Sequence, residues 1–202
     1  MRAVTVLFAA GALSCLSRPT LVPQLFTLDP PTKRVASAGP GRPVVVRRVT
    51  VAAPFDGREL VYRTGAYRLE RDPYATLVAS PAALLAEAVR KQLDQAGFVH
   101  GAADRSEAPP LALPMDVDLR ELSGDFVHPD QPAAVIVVSF EVRPVRTGSA
   151  TFQKVYARRT ILPHRTADAV VTAWNAQLAD VLSELERDLG AALSRPSGAS
   201  PQ

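Results

Sequence analysis

The sequence predicts an α+β domain of two layers, a mostly antiparallel sheet packed on two amphipathic helices. Three observations carry that expectation. Leu84, Leu85, Ala88, Val89, Leu93 and Ala96 recur at helical spacing, and so do Val170, Val171, Trp174, Leu178, Val181, Leu182, Leu185 and Leu189. Other stretches are short and either β-branched throughout or alternate between apolar and polar residues, as strands do. Their order along the chain is strand, strand, hairpin, helix, three strands, helix, with no internal repeat.

Leu25-Phe26-Thr27-Leu28 reads as a brief strand, stopped by Asp29-Pro30-Pro31. Thr32 to Pro43 is rich in Gly, Pro, Ala and basic residues and reads as a loop. Val44 to Ala52 is a buried strand, and Pro54-Phe55-Asp56-Gly57 a turn. Glu59–Arg63 and Ala66–Glu70 form a hairpin with Thr64-Gly65 at its tip. Ser80 suits a helix N-cap and Pro81 the first helical position, while Gly97 closes that helix. After a loop over 101–112, Met115, Val117 and Leu119 alternate with Asp116, Asp118 and Arg120. Val135–Val142 and Phe152–Arg158 then complete an antiparallel meander around a turn at Gly148-Ser149. The last helix opens at Thr166, has Asp168 in its first turn and ends near Gly190 to Ser194.

The chain of 202 residues fits one domain, and a hydrophobic share of 47% supplies a core. Its net charge of +3 is spread out, with basic pairs (Arg47-Arg48, Arg158-Arg159) and no basic block, so nucleic acid is not an expected partner. The eighteen prolines gather near both ends and at element boundaries. The single cysteine, Cys15, excludes an intramolecular disulfide. It follows Arg2 and an apolar run, Ala3 to Leu13, that is far short of the ~20 residues needed to span a bilayer. This layout reads as a secretory signal over 1–14, cut at Cys15, whose thiol then carries lipid. Leu13 stands one place later than the usual leucine of such a signal, and Ala12 takes its position. A tether over 15–23, a folded domain over 24–194 and a disordered tail over 195–202 complete the expected organisation.

No catalytic set emerges. His100, His128 and His164 fall at loop positions without metal-ligand spacing. No nucleophile elbow, P-loop or dinucleotide-binding glycine pattern occurs. Asp116 and Asp118 share one face of a strand, where a solvated sheet surface accounts for both without a metal. Ser80 and Thr166 are caps, and Trp174 belongs to an apolar stripe. Neither a metal nor a cofactor is therefore expected, and the sequence reads as a non-enzyme.

What remains is surface. Tyr62, Arg63, Tyr67, Arg68 and Tyr74 interleave along the hairpin and its exit, with Arg71 beside them. Such residues pack across strands with arginines snorkelling, or they form a partner-binding surface, since Tyr and Arg are enriched in interfaces. Phe126 and Phe140 either line an apolar groove or fill the core.

Residues 59–70 (ELVYRTGAYRLE), continuing through Asp72-Pro73-Tyr74 to Ser80 and the helix as far as Val89, resemble the ABC-type transport auxiliary lipoprotein family, which includes the paraquat-inducible protein C-like lipoproteins. The motif is a hairpin with valine-tyrosine-arginine in its first arm and a second tyrosine, leading into a helix that opens with proline and carries paired leucines. Leu25–Asp29 is similar to the first strand of that family, with Phe26 where tyrosine is usual. The likeness spans about residues 15–190, and the region of Leu77 lacks the tryptophan often found before the helix.

The resemblance implies a lipid-anchored protein facing the periplasm, working beside an ABC transporter whose substrate-binding subunit carries a mammalian-cell-entry (MCE) domain. Such systems move phospholipids or other hydrophobic molecules across a cell envelope. MCE-domain or permease subunits are the implied partners, with self-association into a homo-oligomer left open. Leu16 rather than Asp after Cys15 implies the outer membrane by the sorting rule such lipoproteins follow. A second reading is a soluble periplasmic module that carries a hydrophobic ligand between sheet and helices.

Overall fold

The computed structural model describes residues 22–32, 43–98, 112–143 and 151–194. The signal, Cys15 and most of the tether lie outside these residues, as do His100, nearly all of the 32–43 and 101–112 loops, the Gly148-Ser149 turn and the tail. The described chain forms seven strands and two α-helices. They are β1 (Gln24–Phe26), β2 (Val44–Val51), β3 (Glu59–Gly65), β4 (Arg68–Leu77), α1 (Pro81–Gln95), β5 (Leu113–Asp125), β6 (Ala133–Val142), β7 (Phe152–Ile161) and α2 (Ala167–Leu193). The α+β class and the order of elements are as the sequence predicts.

One open mixed sheet runs β1-β4-β3-β5-β6-β7, with β2 beside β5 as well. The long ladders are antiparallel: β3 with β4, β5 with β6 and β6 with β7. Parallel pairing enters where β2, β3 and β1 join. β2 lines β5 from Leu113 to Leu119, and β3 takes over the same edge at Gly124 and Asp125. β1 adds to the outer edge of β4. α1 packs on β2, α2 on β6 and β7, and the two helices touch.

Register explains where strand lengths depart from expectation. The alternation in β5 breaks at Arg120 because a bulge lies between Leu119 and Glu121, so Leu119 and Leu122 both stay buried and the strand continues to Asp125. β4 continues through Pro73 because its pairing with β3 jumps from Leu60↔Asp72 to Glu59↔Thr76. Pro73 sits inside that irregularity, where no ladder N–H is required. The hairpin tip is Ala66-Tyr67 and not Thr64-Gly65. Gly65 remains in β3 at a second shift of register, between Arg63 and Gly65. Before β3, residues Ala53–Phe55 form a 3-10 turn that starts one residue earlier than the turn expected at Pro54. β1 is shorter than predicted and ends at Phe26.

Both helices start as their sequences prescribe. Ser80 Oγ accepts from the Ala83 N–H, with Pro81 at the first position, and Thr166 Oγ1 accepts from the Ala169 N–H. α1 ends in a Schellman motif. The Phe98 N–H donates to Leu93 O, the Gly97 N–H donates to Asp94 O, and Gly97 holds a φ of 75° that a Cβ would strain.

Between helices and sheet, Leu85, Val89, Leu93, Met115, Val117, Leu119, Ile136, Val138, Phe140, Leu178, Leu182 and Leu185 form a core that excludes water. Trp174 lies in it, donating Nε1–H to Ser123 O at 3.3 Å, so the tryptophan has the packing role its stripe predicts. Gln177 Nε2 donates to Ala134 O at 2.9 Å and to Thr160 Oγ1 at 2.8 Å, fixing α2 over β6 and β7. Gln92 on α1 donates to Glu186 on α2 at 2.7 Å, a buried polar link between the helices.

Candidate functional site

The base of the hairpin is an aromatic stack. Tyr62 on β3 lies opposite Gly124 on β5, and its ring stacks on Phe126 with centroids 4.8 Å apart and planes at 26°. The Arg165 guanidinium covers Phe126 at 4.9 Å. The Tyr62 hydroxyl donates to Asp72 Oδ2 at 3.1 Å. Burial, the neighbouring Asp72 charge and that hydrogen bond raise the phenol well above its ordinary range, so it stays protonated. Asp72 Oδ1 also accepts from the Tyr74 N–H at 2.9 Å, so one carboxylate ties two of the hairpin tyrosines into β4.

Arg63 is directed to the opposite face of the sheet, where it donates to Glu121 Oε1 at 3.0 Å, and Ser123 Oγ donates to the same oxygen at 2.8 Å. Tyr62 and Arg63 are thus half-buried and engaged within the domain. Tyr67 is fully exposed at the tip. Arg68 beside it donates to Thr64 Oγ1 at 3.0 Å and pairs with Glu70 at 3.4 Å, leaving most of its side chain in water. Tyr74 stands apart, toward the end of β4 that pairs with β1, and is half-exposed. The structure therefore places the five candidate residues along one hairpin, two at the tip, two at the base and one within the β4 irregularity.

The remaining candidates resolve into structural roles. Asp116 receives Arg47 through two hydrogen bonds and has Arg48 nearby at 3.8 Å. The Arg47 hydrogen bonds hold its carboxyl below the ordinary range, with burial opposing. Asp118 accepts from Thr50 Oγ1 at 3.0 Å and from Arg120 Nε at 3.1 Å. Both aspartates thus lie in ion pairs on the sheet face away from the helices, and no group of three metal-ligating side chains occurs among the described residues. His128 and His164 are exposed. Phe126 and Phe140 are buried, Phe140 edge-on to Tyr156 at 5.8 Å, so both fill the core and do not line a groove.

A second polar cluster joins β7 to α2. Lys154 Nζ donates to Asp188 at 2.7 Å and Glu184 at 3.3 Å, Tyr156 donates its hydroxyl to Asp188 at 2.7 Å, and Arg158 donates to Glu184. Sequence reasoning missed this cluster because each member sits at an ordinary surface spacing and only the packing of α2 brings them together. It also missed the exposed apolar residues Val22, Leu25 and Val78 around β1.

These elements make a two-layer domain of sheet and helices from which the β3–β4 hairpin carries an exposed tip. Residues 26–186 match the model of the family described as ABC-type transport auxiliary lipoprotein component. The chain belongs to that family. No curated protein matches it. Among solved structures, a protein from Xanthomonas campestris superposes with a TM-score of 0.71 at 16% identity, covering 84% of this chain and 96% of that one. A protein described as uncharacterized gives a TM-score of 0.65 at 14% identity, covering 83% and 99%. At such identities the likeness is one of fold. No described helix is long and apolar enough to cross a membrane.

Proposed function

We propose that this chain is a non-catalytic accessory lipoprotein of an ABC transporter of the MCE type, moving lipids or other hydrophobic molecules across the cell envelope. Cys15 carries the lipid, the domain faces the periplasm, and the outer membrane holds it. The family match over residues 26–186 carries this reading, because it joins a lipoprotein to an ABC-type transporter. Cys15, following a signal-like apolar run, supplies the attachment point. More than one acyl chain is needed for stable anchoring, which a multiply acylated Cys15 meets.

The hairpin is the proposed docking element for an MCE-domain or permease subunit. Tyr67 and Arg68 make the contact, and Tyr62 and Arg63 hold the base rigid, which limits the ordering cost of binding. Cys15→Ser tests the anchor. The variant is expected in the soluble periplasmic fraction, and its retention in the membrane pellet would overturn the anchoring. A pull-down from envelope membranes tests the partner, expected to recover an MCE-domain or permease subunit. Recovery of neither refutes the transport reading.

A further inference from the structure

We propose that the β1–β4 edge of the sheet rests on the surface of the bilayer that holds the lipid anchor, an inference built on the assignment of Cys15 above. Apolar side chains are exposed together there. Leu25 is 63% exposed and lies across the ladder from Thr76, and Tyr74, 49% exposed, stands two residues along the same strand on the same face. Val22 is 79% exposed just before β1. Val78 is 46% exposed and donates its N–H to Phe26 O at 2.8 Å, closing the ladder beyond Leu77.

The reach of the chain places this edge near the membrane. From Cys15 to Val22 is seven residues, which span at most about 25 Å even when fully extended. The strand that receives them is held firmly to the helices. Asn175 on α2 donates to Thr27 O at 3.1 Å and accepts the Asp29 N–H at 2.7 Å, while Lys91 on α1 pairs with Asp29 at 2.8 Å. An anchored Cys15 therefore keeps Val22, at the start of this edge, within about 25 Å of its lipid. Such tethering raises the effective concentration of lipid at the edge, so that a weak apolar contact gains occupancy.

The chemistry of the edge fits a lipid interface better than a protein. β1 offers three residues of ladder, a poor template for a partner strand. The charged groups around it are paired internally, Glu59 with Arg71 at 3.6 Å and Lys91 with Asp29, and Arg58 donates to Leu77 O at 2.7 Å. An apolar patch with a tyrosine at its margin and little net charge suits the boundary between headgroups and acyl chains. The hairpin tip lies at the other end of β4, about 20 Å from Tyr74, and so projects away from this contact.

The experiment uses the full lipoprotein in phosphatidylcholine vesicles whose acyl chains are brominated near the headgroup. Flotation establishes anchoring first. Tyr74→Trp and Leu25→Trp place reporters at the edge, and Val155→Trp places one on β7, the opposite edge of the sheet. The emission added at positions 74 and 25 is expected to be largely lost to bromine and protected from aqueous acrylamide, with the reverse at position 155. If the protein floats but the edge reporters are quenched by acrylamide alone, the edge faces water and the inference fails. Protection from both quenchers means protein covers the edge, a second copy included, and overturns it equally. Failure to float would instead sink the anchoring on which it rests.

Discussion

The Tyr62 ring crosses β5 at Gly124, where a Cβ would stand 2.8 Å from Tyr62 Cδ1, 3.2 Å from Val170 Cγ2 and 3.3 Å from Phe126 Cζ. A glycine is required because ring, strand and helix meet at one point. β3 pairs with β5 only at Tyr62↔Gly124 and Arg63↔Asp125, and the Phe126 N–H donates to Arg63 O at 2.8 Å. The ladder that joins the hairpin to the sheet centre thus passes through this contact.

Gly124→Ala is therefore expected to destabilise the domain by about 1–3 kcal/mol, as overpacking does. The denaturant midpoint should fall with little change in the slope. Tyr62→Ala removes the nearest clashing atom, so the double variant should lose less than the two single losses combined. Strict additivity would show that the ring and the glycine do not confront one another.

The Lys154–Asp188–Tyr156 cluster sets an acid dependence. Burial alone would raise the Asp188 pKa, but hydrogen bonds from Lys154 and Tyr156 and the lysine charge outweigh it, and the carboxyl sits below its ordinary range. A group depressed in the folded state contributes stability that is present above the unfolded value and lost as pH falls through the folded one. Asp188→Asn should lower stability at neutral pH and flatten the decline below about pH 4. Chemical denaturation at a series of pH values reads this directly, and an unchanged acid limb would remove Asp188 from the account.

Much of this architecture was legible because its signals are local. Ser80-Pro81, Thr166 and the two apolar stripes specify their helices within a turn or two of sequence, and the structure places them as expected. The bulge at Arg120 and the register jump around Pro73 were not legible. Each is defined by what the neighbouring strand does, and an alternation that changes phase resembles an ending. Gly65 was misleading for a related reason: glycine marks a bulge as readily as a turn. Of the candidate surface, residue types alone picked out the tyrosines and arginines. Only packing separates Tyr62, spent on Phe126 and Asp72, from Tyr67, which touches nothing.

That separation supplies a test of the docking element. Tyr67 is fully exposed and Arg68 makes surface contacts that contribute little to stability. Tyr67→Ala and Arg68→Ala should each leave the melting temperature nearly unchanged, as exposed substitutions away from caps and cores do. If the tip docks on a transporter subunit, the same variants should weaken its recovery from envelope membranes, tyrosine and arginine being frequent anchors of interfaces. Tyr62→Ala should differ in kind, losing stability together with binding because it empties the stack on Phe126. Undiminished partner recovery by a Tyr67→Ala/Arg68→Ala double variant would move the docking surface off the hairpin.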